Sequence, residues 1–310
     1  MTRIVLLAQT IIDYLCRYSD KTHELFGRYG LETGKKHELD FDLINLILTE
    51  SDIIFSDIGG CVTNTALGLN NLGIATYVGY VFCRDKRGDF FKKGLDSKEY
   101  IHQVILGFGI NTGVVVTYVK DGGSVEKSIF NLGCANKLDP AVDINFLLGN
   151  DSCVYVSTRS FYDEDSSGIV ILKNAKVRSS KVIVNAGGVE FISKKKLEEI
   201  LKVSNGVIAN VQEARSIEKK VGQTIQELSA YDTWFIVTSE EKPTLLYLNG
   251  KQELSVSLVG CNEEIVNTLG AGDAFAAGFL KEISEKNDFE KAIKSGNLYA
   301  QEIIRKQEFH

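Results

Sequence analysis

The amino-acid sequence predicts an α/β protein with a mainly parallel sheet, helices on both faces of that sheet, and a small antiparallel flap beside it. Two patterns indicate this fold. From about Cys153 onward, apolar strand-like runs alternate with helix-like runs, which is typical of a parallel sheet covered on both faces. Within 107–136, the stretch VVVTYVKDGGSVEKSIFNLG predicts two strands joined across Asp121-Gly122-Gly123, the signal of a hairpin.

The length and the patterning of the chain place the individual elements. With 310 residues and 44% hydrophobic residues, the chain can bury a sizeable core, and no repeat or linker divides it, so a single domain over 1–310 is expected. Runs rich in Val, Ile, Phe and Tyr predict strands at Ile4–Ala8, Thr76–Phe82, Val114–Val119, Lys127–Asn131, Cys153–Ser157, Lys181–Asn185, Gly206–Ala209 and Thr233–Thr238. Helix-like runs predict helices at Phe41–Thr49, Val62–Leu72, Asp165–Lys176, Lys194–Val203, Ala271–Ser284 and Phe289–Arg305.

The charge of the chain disfavours two classes of partner. The net charge is −6 and the isoelectric point is about 5.4, so no basic surface is expected to bind nucleic acid. No apolar run approaches the ~20 residues that a membrane-spanning helix needs. The first residues, MTRIVLLAQTIIDYL, carry Asp13 within their apolar part and lack a small-residue cleavage site, so they predict a first strand and a cytoplasmic protein.

Cysteine and histidine patterns predict no metal site and no histidine-based triad. The six cysteines form no CxxC pair, and the four histidines are scattered. The cysteines are therefore expected to be reduced and mostly buried, as in a cytosolic protein, rather than bridged by disulfides. They lie at 16, 61, 83, 134, 153 and 261.

The segment NTLGAGDAFAAGFL, 267–280, carries the strongest chemical signal. It leads into an Ala/Phe/Leu helix through Gly270-Ala271-Gly272, and the unpaired amides at such a helix start form an anion site suited to a phosphoryl group in transit. Asp273 follows directly. A carboxylate at a helix start is often only a cap, but the small residues before it leave room for a ligand and favour a catalytic base.

This segment closely resembles the C-terminal signature of the PfkB (ribokinase-like) family of carbohydrate and nucleoside kinases. The family's other signature is matched by GGCVTNTALGLNNLG at 59–73, about 210 residues earlier, and the resemblance runs over essentially the whole chain. It implies a ribokinase-like three-layer αβα core with a mainly parallel sheet. It also implies a small β lid built from about 12–40 and 107–136.

The resemblance implies roles for the residues around the reacting hydroxyl. Asp273 would be the general base, and the anion hole would be formed at Gly270, Ala271 and Gly272 together with the amide of Asp273. Asp13 matches the carboxylate that holds substrate hydroxyls. The remaining acceptor contacts match Gly59 and Gly60, which allow close backbone approach, and Asn64, a neutral donor and acceptor.

The resemblance also implies a donor site for ATP with Mg²⁺. Asn210-Val211-Gln212-Glu213 matches the family's NxxE element, in which Glu213 supports Mg²⁺ through water. From the residues alone, Asn210 and Glu213 fit an ordinary helix capping box equally well. Further ATP contacts are implied for Thr238, Ser239 and Asn297.

Softer matches point to the adenosine kinase branch of the family. They are Ser128–Asn136, the stretch HELFGRYGLETGKKHELD at 23–40, and the ending IIRKQEFH at 303–310. By position, Leu39 would face the base, and Asn131 and Ala135 would lie near the substrate.

Three departures from the family pattern bear on its chemistry. Asn267 replaces the Asp that helps to hold an activating monovalent cation. The resemblance therefore implies Mg²⁺ with ATP but not dependence on a monovalent cation. The turn 239–243 replaces a glycine-rich turn that borders the nucleotide. Arg159 stands where adenosine kinases place an aromatic ring, and a guanidinium can stack on a base or pair with a carboxylate or phosphate.

The leading hypothesis is an ATP-dependent kinase that phosphorylates the primary hydroxyl of a nucleoside, with adenosine to AMP as the first candidate. A PfkB kinase for a free sugar or a sugar acid (ribose, fructose, 2-keto-3-deoxygluconate) stays open because of Arg159. A catalytically weak nucleoside-binding protein on the same fold is a third hypothesis. The presence of Asp273 disfavours it, because binding alone needs no base. The expected partners are ATP and a small molecule, and the protein is expected to be a monomer or a homodimer.

Overall fold

The computed structural model describes residues 2–32, 35–120, 125–134, 144–148, 152–162, 168–178, 180–240, 242–258, 269–284 and 288–305. Its strands are β1 Arg3–Leu7, β2 Ile11–Arg17, β3 Lys36–Glu38, β4 Ile53–Gly59, β5 Thr76–Cys83, β6 Ile101–Gly109, β7 Gly113–Val119, β8 Val125–Asn131, β9 Ser152–Ser157, β10 Lys181–Asn185, β11 Gly206–Asn210, β12 Trp234–Thr238, β13 Thr244–Leu248 and β14 Lys251–Val256. Its helices are α1 Asp20–Arg28, α2 Phe41–Glu50, α3 Cys61–Asn71, α4 Lys86–Asp96, α5 Gly168–Val177, α6 Lys194–Val203, α7 Val211–Val221, α8 Ile225–Leu228, α9 Ala271–Ile283 and α10 Phe289–Arg305. Short 3-10 turns lie at Ile144–Phe146, Thr158–Phe161 and Val189–Phe191.

The larger sheet has nine strands in the order β14-β13-β12-β11-β10-β9-β1-β5-β6. The seven strands from β12 to β6 are parallel, and β13 and β14 extend the sheet antiparallel. Helices α3, α4, α9 and α10 pack on one face and α5 to α8 on the other, each face with its own buried apolar cluster. Because both faces are covered, every residue of β9 is buried. The predicted α/β class with three αβα layers is confirmed.

The smaller sheet has five strands in the order β3-β8-β7-β2-β4, and α1 and α2 contribute to the apolar cluster beneath it. The predicted hairpin is confirmed, since β7 and β8 pair antiparallel; its turn, Asp121-Gly122-Gly123, lies outside the described residues. The segments expected to form a lid supply four of these strands. The fifth, β4, comes from 53–59, where Ile53 and Ile54 are exposed and the alternation of a half-buried strand is weak.

Several strands were absent from the expectation. The hairpin β13–β14 turns at Asn249 (φ 54°) and Gly250 (φ 75°), and an Asn-Gly pair between apolar runs is a signal that could have predicted it. Strand β2 was hidden because Asp13 interrupts its apolar run. The predicted helix Asp165–Lys176 is observed as α5 from Gly168, and 165–167 lie outside the described residues.

The expectation that all the cysteines are reduced is wrong, because two of them form a disulfide. Cys83, at the end of β5, forms a disulfide with Cys134, which follows β8, and the two Cα atoms are 6.6 Å apart. The two residues are 51 positions apart in the chain, and only the packing of the segment after β8 against β5 brings them together. Cys16 and Cys153 are free and buried, as expected, and Cys61 is free and half-buried.

Glycines allow helix α9 to lie close to its neighbours. A Cβ atom on Gly278 would lie 2.6 Å from the carbonyl oxygen of Ser295 and 3.0 Å from the Cα atom of Gly296, both on α10. A Cβ atom on Gly68 of α3 would lie 2.8 Å from that of Ala277. These contacts set the position of α9, whose first turn carries Asp273. In the part of the chain that the structure describes, no helix is both long enough and apolar enough to cross a bilayer.

We expect Gly278→Ala to destabilise the fold by about 1–3 kcal/mol, because the added methyl group meets backbone atoms of α10 that cannot rotate away. The measurement is the free energy of unfolding from denaturant titration. Gly27→Ala in α1 is the matched control, since a Cβ atom there meets nothing within 4 Å and should raise stability slightly. Equal free energies for the two variants would contradict the close-approach account.

Candidate active site

A cleft of about 260 Å³ lies between the two sheets, at the carboxyl ends of the parallel strands. Strands β1, β9, β10, β11 and β12 all end there, which is where open α/β sheets bind ligands. Its lining residues are Gln9, Ile11, Asp13, Lys36, Gly60, Cys61, Asn64, Val115, Arg159, Asn185, Gly187, Gly188, Ile208, Ala209, Asn210, Glu213, Thr238, Gly272 and Asp273.

Asp273 lies in the first turn of α9, and its carboxylate is held by a residue of α3. The Nδ2 atom of Asn64 donates a hydrogen bond to Oδ2 of Asp273 at 3.0 Å. Gly270 precedes the helix with φ 77°, a conformation that favours glycine, and no Cβ contact lies within 4 Å of Gly270 or Gly272. The side of Asp273 that faces the cleft is therefore lined by open backbone, which a ligand can approach.

Asp13 lies on β2 opposite Asp57 of β4, and the start of α3 holds its carboxylate. The amide of Gly60 donates a hydrogen bond to Oδ2 of Asp13 at 3.2 Å. A Cβ atom on Gly59 would overlap this carboxylate, so only glycine fits at that position. Gly60 has φ 90°, which again favours glycine. The pair Gly59-Gly60 thus brings the backbone against Asp13.

The two aspartates have raised pKa values. Burial raises the pKa of Asp273 to about 7, with the charges of Asp13 and Glu213 adding to the rise, while the hydrogen bond from Asn64 and the charge of Arg159 oppose it. Burial likewise raises the pKa of Asp13 to about 6, against the Gly60 amide and Arg159. Two carboxyl groups that titrate near neutral pH in one cleft indicate a site for proton transfer.

Asn210 and Glu213 form the capping box that the sequence left open as an alternative. Asn210 Oδ1 accepts hydrogen bonds from the amides of Gln212 and Glu213, both at 2.9 Å, and the amide of Asn210 donates to Oε2 of Glu213 at 2.9 Å. Oε1 of Glu213 lies beside the Gly187 turn, at the lining of the cleft. Burial raises the pKa of Glu213. The residue therefore caps α7 with one oxygen and presents the other to the cleft.

The donor set fits magnesium held largely by water and phosphate. Within the described ranges, no group of three or more His, Cys, Asp or Glu side chains could hold a metal ion. Mg²⁺ commonly keeps several waters and is bound through one or two carboxylates plus substrate phosphates, so a single carboxylate such as Glu213 suits it.

Arg159 enters the cleft over the turn that follows β10. A Cβ atom on Gly188, which has φ 87°, would overlap the Arg159 side chain, so this glycine makes room for it. The guanidinium carbon lies 5.8 Å from the centroid of the Phe130 ring on β8. Arg159 thus lies where the smaller sheet meets the larger one.

Polar and aromatic contacts join the two sheets at this end of the cleft, and the sequence analysis missed them. Lys36 Nζ of β3 lies 3.2 Å from Oε1 of Glu190, and the Tyr162 hydroxyl donates to Glu38. Phe130 and Phe191 meet edge to face at 5.4 Å. No local sequence pattern identifies Lys36 or Glu190 as a contact between the sheets, because charged residues near surface turns are common.

Lys220 of α7 positions the turn that carries Glu190 and Phe191. Its ammonium group donates to the carbonyl oxygens of Val189 at 3.0 Å and Glu190 at 3.2 Å, and to that of Ile192. Three carbonyls on one ammonium hold this turn against the core.

Other predicted site residues lie around the cleft rather than in its lining. Asn131 Nδ2 donates to the carbonyl of Leu39 at 2.7 Å, and its Oδ1 accepts from the Gly133 amide at 2.9 Å, so this side chain ties β3 to β8. Ser239 accepts from the Lys242 amide at 3.4 Å. Asn297 is buried in α10 and accepts from Thr244 Oγ1 at 2.9 Å. Ala135 and Asn267 lie outside the described residues.

We expect Asp273→Asn to raise the stability of the protein at pH 8. The folded-state pKa of about 7 lies above the ordinary 3.8, so ionisation of Asp273 costs folding free energy as the pH rises between these values. The gain in melting temperature should grow from pH 4 to pH 7 and level off above. Asp232→Asn, at an exposed aspartate, is the matched control. An Asp273→Asn variant without a gain at pH 8 would contradict the burial account.

Comparison with known proteins shows the family of the chain. Residues 54–309 match the family described as pfkB family carbohydrate kinase. A nucleoside kinase of Thermoplasma acidophilum is 26% identical over 217 residues, 67% of each chain. The adenosine kinase of Saccharomyces cerevisiae is 25% identical over 317 aligned positions, covering 94% of this chain and 89% of the relative.

The fold has close counterparts among solved structures. The adenosine kinase of Sinorhizobium meliloti superimposes with a TM-score of 0.82 at 21% identity, over 99% of this chain and 94% of that one. The family match covers most of the chain, including both the Asn64 and the Asp273 motifs. The protein therefore belongs to the pfkB family of carbohydrate kinases.

Proposed function

We propose that this kinase transfers the γ-phosphoryl group of ATP to the primary 5′-hydroxyl of a nucleoside. Family membership makes the chain a phosphotransferase with an alcohol as acceptor. The observation that carries the proposal is the Asn64–Asp273 pair, which holds a carboxylate with a pKa of about 7 next to the open start of α9. Similarity to a nucleoside kinase and to adenosine kinases supports a nucleoside as the acceptor.

Asp273 acts as the general base in this mechanism. Its ionised carboxylate takes the proton of the acceptor hydroxyl as the oxygen forms a bond to the γ-phosphorus, and the bond from that phosphorus to the ADP oxygen breaks. The hydrogen bond from Asn64 orients the carboxylate. The amides of Ala271, Gly272 and Asp273 donate to the oxygens of the moving phosphoryl group, where the helix start favours negative charge.

Asp13 and Glu213 serve the two substrates. Asp13, held by the Gly60 amide, accepts hydrogen bonds from ribose hydroxyls and so aligns the 5′-hydroxyl with Asp273. Magnesium bound with ATP would neutralise charge on the phosphates. Glu213, with Asn210, would hold water molecules of that ion through the oxygen that faces the cleft.

Adenosine to AMP is the candidate reaction that the relatives support, because adenosine kinases recur among them and among the structural neighbours. A sugar acid is the second candidate, and Arg159 favours it, since a guanidinium in the cleft could bind a carboxylate in a bidentate pair. A protein that only binds nucleosides has no use for a positioned base, so the Asn64–Asp273 pair disfavours that hypothesis.

We expect Asp273→Asn to lower kcat by about 10²–10⁴-fold, because general-base assistance is lost. The wild-type kcat/KM should fall as the pH drops below about 7, since Asp273 must be ionised to accept the proton, and more steeply below about 6 as Asp13 is protonated as well. The measurement is a coupled ADP-release assay across pH with the coupling enzymes in excess. Turnover of the variant near the wild-type rate would rule out Asp273 as the base.

We expect adenosine to give a higher kcat/KM than ribose, fructose or 2-keto-3-deoxygluconate. A purine offers a large face to the cleft that these acceptors lack, and its burial favours the closed, water-excluding complex. The same ADP-release assay compares the four acceptors. In that assay, Asp13→Ala should raise KM for the acceptor far more than KM for ATP, because Asp13 is assigned to the hydroxyls of the acceptor. If the sugar acid gives the highest kcat/KM and Arg159→Ala removes that preference, the acceptor is a sugar acid.

A further inference from the structure

The guanidinium of Arg159 is a charged group in the cleft that the mechanism above does not use. The side chain is half-buried, and Gly188 leaves the space that it occupies. Among the described residues, none forms a hydrogen bond or an ion pair with this guanidinium, whose carbon lies 5.8 Å from the centroid of the Phe130 ring. A guanidinium placed in a cleft with its donors unused suggests a group that binds a ligand.

The neighbouring carboxylates have other partners. Asp13 accepts from the Gly60 amide, Asp273 from Asn64, and Glu213 from the Asn210 amide. Glu190 pairs with Lys36. Arg159 affects several of these groups through its charge, but none of them lies within ion-pair distance of it. Its donors are therefore left for a bound molecule.

The chemistry of the guanidinium restricts that molecule. Arginine has five N–H donors in a planar fork and no acceptor, so it matches a ligand edge with two adjacent acceptors. Hypoxanthine and guanine present such an edge, with O6 beside N7. Adenine has its 6-amino group beside N7. That amino group is a hydrogen-bond donor, and it would face an N–H donor of the guanidinium. Proteins accordingly pair Arg with the O6/N7 edge of guanine, and Asn or Gln with the corresponding edge of adenine.

We propose that Arg159 selects the base of the acceptor, and that the preferred acceptors are 6-oxopurine nucleosides, inosine and guanosine, ahead of adenosine. This inference rests on the proposed nucleoside kinase function and specifies its substrate class. The base is the part of these nucleosides with two adjacent acceptors in one plane. The proposal places the ribose hydroxyls at Asp13, the 5′-hydroxyl at Asp273 and this edge of the base at Arg159, three residues that line one cleft.

The first experiment compares kcat/KM for inosine, guanosine, adenosine, 7-deazaguanosine and 2-keto-3-deoxygluconate with Mg-ATP. Inosine and guanosine should exceed adenosine by on the order of 10- to 100-fold, the range expected for one bidentate contact. The 7-deaza analogue lacks N7 and should lose most of this advantage. Adenosine equal to or better than inosine would overturn the role of Arg159, and so would full activity with 7-deazaguanosine.

The second experiment uses Arg159→Gln, since a glutamine amide offers the donor and acceptor that match adenine. The ratio of kcat/KM for inosine to that for adenosine should fall and can invert, with KM for ATP unchanged. Arg84→Gln is the matched control, because Arg84 also lies over a phenylalanine ring, Phe108 at 5.2 Å, but does not line the cleft. An unchanged ratio in Arg159→Gln contradicts the proposal, and the 7-deaza comparison still decides it if that variant fails to fold.

The acceptor panel separates this inference from the function on which it rests. Turnover of adenosine above the 6-oxopurines leaves a nucleoside kinase and removes only the role assigned to Arg159. Turnover of the sugar acid with none of any nucleoside overturns both.

Discussion

The hydrogen bond between Asn64 and Asp273 is the contact on which the candidate site depends. It joins the first turns of α3 and α9, which are 209 positions apart in sequence. The two helices can approach because Gly68 faces Ala277, and α9 in turn lies against α10 at Gly278 and Gly296. The small residues of the two motifs thus allow the close packing that fixes the position of Asp273 above the sheet.

The cleft concentrates negative charge at a cost to stability. Asp13, Asp273 and Glu213 have raised pKa values, chiefly because they are buried. The charges of Asp13 and Glu213 add to the rise in the pKa of Asp273. Raised values in carboxyl groups mean that the folded protein loses stability as these groups ionise. In the proposed mechanism these groups are needed, since Asp273 takes a proton, Asp13 binds hydroxyls and Glu213 holds the waters of a metal ion. Arg159 offsets part of this charge.

The two sheets form the walls of the cleft, and polar and aromatic contacts between described residues join them at the end where Arg159 lies. Lys36 and Glu190 pair across it, Phe130 and Phe191 pack edge to face, and Lys220 holds the turn beneath them. On the opposite side, the Cys83–Cys134 disulfide ties the segment after β8 to the end of β5. The shape of the cleft therefore depends on how the smaller sheet packs against the larger one.

The sequence by itself determined the α/β class, the β7–β8 hairpin and the motifs around Asn64 and Asp273. These features leave local signatures, because a hairpin turn, a helix start or a close backbone approach restricts which residues can stand within a few positions of one another. Only the tertiary structure decided that Lys36 meets Glu190, that Cys83 meets Cys134, and that Arg159 lies over Gly188 with its donors unused. Such pairs join distant segments through the order of strands in the two sheets, and an isolated charged residue or cysteine carries no local mark of the partner that the fold will bring to it.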